Sequence, residues 1–132
     1  MRRKASPKPS LGVDLVEYKK AKLFYGRHKN RLENYFDRKE ICFIKKNHKP
    51  YEALALLLAS KEAVFKSSDL PWMGTGGFRK IHIFITKYNQ ISFRLRGNFK
   101  RSYARRPASV LSFLKRKDYV IAECHSDNLR ND

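Results

Sequence analysis

Three side chains have the types and settings to do chemistry together: Asp14, Glu62 and Lys66. In Ser60-Lys61-Glu62-Ala63-Val64-Phe65-Lys66, Glu62 and Lys66 are four residues apart, hence one turn apart on one helical face, with Leu58 and Ala55 on the same stripe. A carboxylate thus leaves an apolar helix beside a cation. Taken alone, this spacing also suits a solvated Glu–Lys pair that stabilises a helix by about 0.2–0.5 kcal/mol and does nothing else. Asp14 argues for more. It stands in the middle of Leu11-Gly12-Val13-Asp14-Leu15-Val16, a short apolar strand pattern, and an unpaired buried charge is costly enough that an acid so placed calls for a partner or a metal.

The elements that must position these groups follow from pattern. Alternation puts Leu11, Val13 and Leu15 on one face of the strand and Gly12, Asp14 and Val16 on the other, with the glycine leaving room for something to approach. Glu17 to Tyr25 reads as a helix with Ala21, Phe24 and Tyr25 inward, ended by Gly26. A short helical segment closed by Tyr35 and Phe36 follows. Asp37 with Glu40 three residues on marks the capped start of a helix through Lys46. Asn47-His48-Lys49 is a break, and Pro50 suits the first turn of the central helix, which ends at Ser67-Ser68-Asp69-Leu70-Pro71. The glycine-rich stretch Pro71 to Gly77 suits a tight connector and equally a loop whose amides approach a phosphate. Beyond it, Ile81/Ile83/Ile85 and Ile91/Phe93/Leu95 alternate about Lys87 to Gln90 as an antiparallel hairpin. Phe99 to Pro107 reads as a short amphipathic helix over the sheet. Val110 to Leu114 and Tyr119 to Cys124 form a second hairpin about Lys115 to Asp118. The fold class expected is α+β, an antiparallel sheet packed with helices, as one domain over residues 11–126 with a basic tail at 1–10 and a short tail at 127–132.

Composition bounds the function. The 132 residues carry 30 Lys and Arg against 12 Asp and Glu, a formal charge of +18, so the partner should be anionic. Nucleic acid is the first candidate from charge alone, strengthened by the aromatics among arginines in Phe99 to Pro107; an acidic protein with a phosphate-rich cofactor satisfies the same electrostatics. Cys42 and Cys124 are too few and unpatterned for a zinc site or disulfide framework, and reduced thiols are expected. The apolar run Ala53 to Ala59 is far short of the roughly 20 residues that span a bilayer. The N-terminus is basic but lacks the apolar core of a signal peptide, so a cytoplasmic location is expected.

The stretches Gly12-Val13-Asp14-Leu15-Val16-Glu17, Phe36-Asp37-Arg38-Lys39-Glu40, Lys61-Glu62-Ala63-Val64-Phe65-Lys66 and Gly74-Thr75-Gly76 together resemble, in order and spacing, the 4′-phosphopantetheinyl transferases of the small holo-acyl-carrier-protein synthase type. The resemblance runs from about Leu11 to Ala122. It implies transfer of 4′-phosphopantetheine from coenzyme A to a carrier-protein serine, with Asp14 and Glu62 holding Mg²⁺, Glu62 as base and Lys66 neutralising the diphosphate. Lys61, Lys66, Gly74, Thr75 and Lys115 are then the expected coenzyme A contacts. Lys19, Lys22 and Arg27 are the expected docking cations for an acidic acyl carrier protein, and assembly as a homotrimer is expected. One departure stands out. Where the family has a Ser-x-Ser-His-like element, this chain has Ser112-Phe113-Leu114-Lys115, and a lysine meets phosphate as a point charge without the ring's geometry. The alternatives left open are a basic RNA- or DNA-binding module and a synthase-like protein that has lost activity. The four histidines, His28, His48, His82 and His125, show no ligand spacing and are expected to be structural or exposed.

Overall fold

The computed structural model describes residues 10–68, 75–86, 90–96 and 108–127. Strand β1 (Ser10–Glu17) leads into helix α1 (Tyr18–His28), a 3₁₀ turn at Leu32–Asn34, α2 (Arg38–Lys46), the long α3 (Pro50–Ser67) and the short α4 (Thr75–Arg79). Strands β2 (Ile81–Ile85), β3 (Ile91–Leu95), β4 (Ala108–Lys115) and β5 (Tyr119–Asp127) complete the chain. The α+β class with antiparallel pairing is as expected. The strands divide into two sheets, a three-stranded one in the order β1-β5-β4 and the β2-β3 hairpin. The first strand of the chain thus pairs with the last, Asp14 opposite Ala122 and Val13 opposite Glu123.

Helix α3 is the axis of the core. It packs against β1 and β5 on one side and against α1, α2 and β2 elsewhere, and Leu54, Leu56, Leu57, Ala59, Ala63 and Val64 are all buried. A helix apolar over most of its circumference has to be enclosed over most of it, so this segment gathers the rest of the chain and leaves only the face with Glu62 and Lys66 open. Among the described residues no helix is long and apolar enough to cross a membrane.

The approach of β1 to α3 depends on Gly12. A Cβ there would lie 2.6 Å from the Ser67 backbone nitrogen and closer still to the Ala63 carbonyl oxygen. The room that the glycine leaves is taken by the helix backbone, which brings Asp14, two residues on, up to the last turn of α3. Consequently Gly12, Asp14 and Val16 face inward, and Leu11, Val13 and Leu15 lie on the exposed outer face.

Several boundaries differ from the sequence reading, and the stretch expected as a glycine-rich connector or loop through Gly77 turns helical from Thr75 as α4. Helix α1 does not stop at Gly26 but continues to His28, because that glycine keeps helical company: Lys29 has helical dihedrals and its N–H donates to the Tyr25 carbonyl. The His28 ring, 4.4 Å from that of Phe24 and 5.4 Å from that of Tyr35, holds this last turn down. Strands β4 and β5 extend further than the alternation suggested, to Ala108 and Asp127, since β5 pairs along its length with β1 as well as β4. The amphipathic helix expected over Phe99 to Pro107 lies outside the described residues.

Candidate active site

The inward face of β1 and the final turn of α3 meet at Asp14, Glu62 and Lys66. Lys66 Nζ donates to Asp14 Oδ1 at 2.9 Å and to the Val13 carbonyl at 3.4 Å. The Asp14 side chain is 17% exposed and that of Lys66 48%, so the pair is open to solvent on the lysine side. This bond with Asp14 raises the Lys66 ammonium above its ordinary pKa, and the carboxylates of Asp14 and Glu62 add to it. Glu62 is half-buried one turn earlier. Burial raises its carboxyl above the usual range, the charge of Asp14 raises it further and Lys66 partly offsets both. The charges of Asp14 and Glu62 thus oppose each other while Lys66 is bonded to Asp14, and a second cation would relieve the repulsion.

That donor set has a chemical meaning. Among the described residues no group of three His, Cys, Asp or Glu is gathered as a metal cluster. Two carboxylates are the complement that Mg²⁺ takes when water and phosphate oxygens fill its other positions. Asp14 and Glu62 are a carboxylate pair of that kind, with the Lys66 ammonium bonded to one of them.

Lys61, expected to contact phosphate or a partner surface, does neither, and this is a correction. Its side chain is fully buried, and its ammonium donates to Glu40 Oε1 at 2.9 Å, to the Phe78 and Ile81 carbonyls at 2.7 Å each and to the Tyr35 carbonyl at 3.3 Å. The donors are saturated by groups of the same chain, and a helical step of about 100° turns the residue away from Glu62 into the core. Burial lowers its pKa and raises that of Glu40, and each charge opposes the other's shift. Glu40, read from sequence as a capping partner, does cap: its Oε1 accepts from Asp37 N–H while Asp37 accepts from Glu40 N–H. Its second oxygen accepts from Ile83 N–H at 2.9 Å. Asp37 meanwhile pairs with the buried His82. The sequence reading missed Glu40 as the centre of this network. The one signal for it was an acid and a lysine each set in an apolar helical pattern, Glu40 before Ile41 and Lys61 after Ala59.

The remaining expected contacts are spread out. Lys115 ends β4, exposed, with its ammonium 6.0 Å from the Phe113 ring centre. Thr75 opens α4, whereas Gly74 lies outside the described residues. Lys19, Lys22 and Arg27 are exposed on α1 as a docking surface requires, but Lys22 leans over the Tyr51 ring, 5.7 Å from its centre. His28 and His82 are packed side chains, while His48 and His125 are exposed. Both cysteines are free thiols, Cys42 exposed and Cys124 buried.

Comparison with known proteins converges on one family. The family model described as the 4′-phosphopantetheinyl transferase superfamily matches residues 10–124. Among solved structures, the holo-[acyl-carrier-protein] synthase of Neisseria meningitidis superposes with a TM-score of 0.74 at 21% identity, covering 89% of this chain and 97% of that one. The ACPS–CoA complex of Chronobacterium ammoniagenes gives 0.74 at 21%, covering 94% and 100%. The Helicobacter pylori holo-[acyl-carrier-protein] synthase in complex with coenzyme A gives 0.73 at 22%, covering 89% and 99%. At these identities the likeness concerns the fold. No curated protein sequence matches the chain.

Proposed function

The chain belongs to the 4′-phosphopantetheinyl transferase superfamily, and from that premise we propose that it transfers 4′-phosphopantetheine from coenzyme A to a serine of an acyl carrier protein in a Mg²⁺-dependent reaction. The observation that carries this reading is the meeting of Asp14, Glu62 and Lys66 across β1 and α3. In the transfer, a bond forms between the serine oxygen and the phosphorus next to pantetheine. The diphosphate bond to adenosine 3′,5′-bisphosphate breaks, and the serine proton leaves. Glu62, made more basic than an ordinary carboxylate by burial and by the charge of Asp14, accepts that proton directly or through one water. Lys66 meets the negative charge that gathers on the departing phosphate, and Asp14 fixes the direction in which its ammonium points. Asp14 and Glu62 would hold Mg²⁺, which would supply neutralisation of the diphosphate charge. Lys19, Lys22 and Arg27 steer the acidic carrier to α1, an effect that weakens with salt.

The chain is read further as a homotrimer. The exposed apolar face of the three-stranded sheet, with Leu11 56%, Val110 60% and Leu114 50% exposed, supports an assembly that covers it. The nucleic-acid reading rests on the net charge, the basic tail and the aromatics among arginines in Phe99 to Pro107, and it gives the carboxylates Asp14 and Glu62 no task.

The deciding experiment incubates the protein with coenzyme A, Mg²⁺ and apo acyl carrier proteins from several sources and weighs the carriers by mass spectrometry. A gain of one phosphopantetheinyl group, abolished by a chelator, is the expected result. No gain on any carrier, with no calorimetric binding of coenzyme A, would overturn the assignment.

A further inference from the structure

Charge is unevenly distributed along the chain. Residues 70–117 hold twelve of the thirty lysines and arginines and no aspartate or glutamate, so this stretch alone contributes 12 of the net +18. The β2-β3 hairpin lies within it. One face of that ribbon turns to the core, with Ile81 and Ile83 buried and paired with Leu95 and Phe93. Strand side chains alternate, so the other face carries His82 opposite Arg94 and Phe84 opposite Ser92. Lys80 and Arg96 extend it at one end, joined by the bond from Arg96 N–H to the Lys80 carbonyl, and Thr86 and Gln90 at the other. His82 is covered, paired with Asp37 at the start of α2. The rest is open: Ser92, Arg94 and Arg96 are exposed, Phe84 is half-buried, and the Arg94 guanidinium carbon lies 5.6 Å from the Phe84 ring centre.

An aromatic ring flanked by arginines on a β-ribbon suits an extended strand of nucleic acid, since a base stacks on the ring while the guanidinium groups meet phosphates. Arg94 and Arg96 leave the same face two residues apart, about 6.6 Å at the rise of a strand, a separation suited to successive phosphates. Ser92 and Gln90 add neutral hydrogen-bonding groups beside the ring. Other anions fit less well. A lipid surface takes up apolar side chains, and Phe84 is the one such side chain on this face among the described residues. We propose that the outer face of the β2-β3 hairpin binds single-stranded nucleic acid, with Phe84 stacking a base and Arg94 and Arg96 holding the neighbouring phosphates. This is a second activity on a second surface. The ribbon meets the core through Ile81 and Ile83, whereas Asp14, Glu62 and Lys66 stand where β1 meets α3.

Fluorescence anisotropy of a labelled oligothymidylate of about 12 nucleotides, titrated with the full chain over a salt series, tests this. Wild type is expected to bind, with the logarithm of the association constant falling linearly against that of the salt concentration. Arg94→Gln combined with Arg96→Gln should reduce the slope by about 0.7 for each arginine. Phe84→Leu keeps an apolar side chain in place and should weaken binding at least about fivefold with the slope unchanged, the effect of one lost base stack. An abasic oligomer of the same length should bind wild type at least about fivefold more weakly than the thymidylate does, a readout that needs no variant to fold. Four results would each overturn the assignment: no binding of the thymidylate, an abasic oligomer bound as tightly, Lys19→Gln with Lys22→Gln costing as much slope as the arginine pair, or vesicles of anionic lipid retaining the protein where the thymidylate does not. Carrier modification by the Arg94→Gln, Arg96→Gln variant should match wild type, and its loss would assign the face to the transfer reaction instead.

Discussion

Helix α3 carries two lysine–carboxylate pairs five residues apart, both at 2.9 Å, and they do opposite things. Lys61 and Glu40 are 0% and 1% exposed and every donor of the ammonium has an acceptor. Lys66 and Asp14 are 48% and 17% exposed, and a further carboxylate, Glu62, faces them. A distance criterion cannot tell the two apart. Burial and satisfaction can: the first pair is closed and ties α2, α3, α4 and β2 together, and the second is open and unbalanced, with more negative charge than its one cation neutralises. The closed pair fixes where the end of α3 lies, and the open pair stands at that end.

The comparison breaks most visibly in activity. Asp14→Asn and Glu62→Gln should each lower carrier modification by at least about 10³-fold, the upper part of what a lost base or charge-stabilising group costs, with melting temperature little changed. Carrier mass against time and thermal melting read the two effects separately. An active variant of either kind would remove that carboxylate from the chemistry. Next in size is Lys61→Met, which leaves Glu40 charged and unpaired in the core. It should lose about 3–5 kcal/mol in denaturant unfolding, whereas Lys66→Met should lose no more than about 1 kcal/mol and yet be inactive. Equal stability losses would mean the pairs are not different in kind. Gly12→Ala sharpens the link between them. Its Cβ would drive β1 off the α3 backbone and cost about 1–3 kcal/mol as an overpacked contact, and it should reduce activity beyond that by separating Asp14 from Lys66.

How much of this was legible in the sequence follows the range of the interactions. Pro50 at the start of α3 and the Asp37–Glu40 capping box are signals within four residues, and both are present where read. Asp14 and Glu62 drew attention because each is an acid in an apolar setting, and the fold brings them together. Lys61 was misread because its fate depends on Glu40, 21 residues upstream, and on the Phe78 and Ile81 carbonyls beyond it. No local pattern reveals a tertiary acceptor set. Gly12 was read correctly as a place of close approach, but the approaching body is the chain's own helix. Alternation in β1 sorted its two faces correctly without saying which was inner, since leucine and valine on the outer face outnumber the apolar residues on the inner one.

The smallest expected effect tests the open pair most directly, because it reads Glu62 without relying on catalysis. Its carboxyl is held above the ordinary range first by burial and then by Asp14, with Lys66 opposing. A folded-state pKa above the unfolded value means that the native protein binds this proton more tightly, so the group favours folding at low pH and that contribution fades as pH rises through the folded pKa. Wherever Glu62 is ionised it therefore opposes the fold slightly, and Glu62→Gln should there melt no lower than wild type, while losing its activity. Carboxyl-carbon NMR titration should find Glu62 above an ordinary glutamate, moved down by Asp14→Asn and up by Lys66→Gln. Addition of Mg²⁺ to the wild type should move it down as well, since a cation between two carboxylates favours the ionised form of both. A Glu62 titration indifferent to Asp14→Asn would show that the carboxylates do not face each other, and the site would shrink to an isolated surface pair.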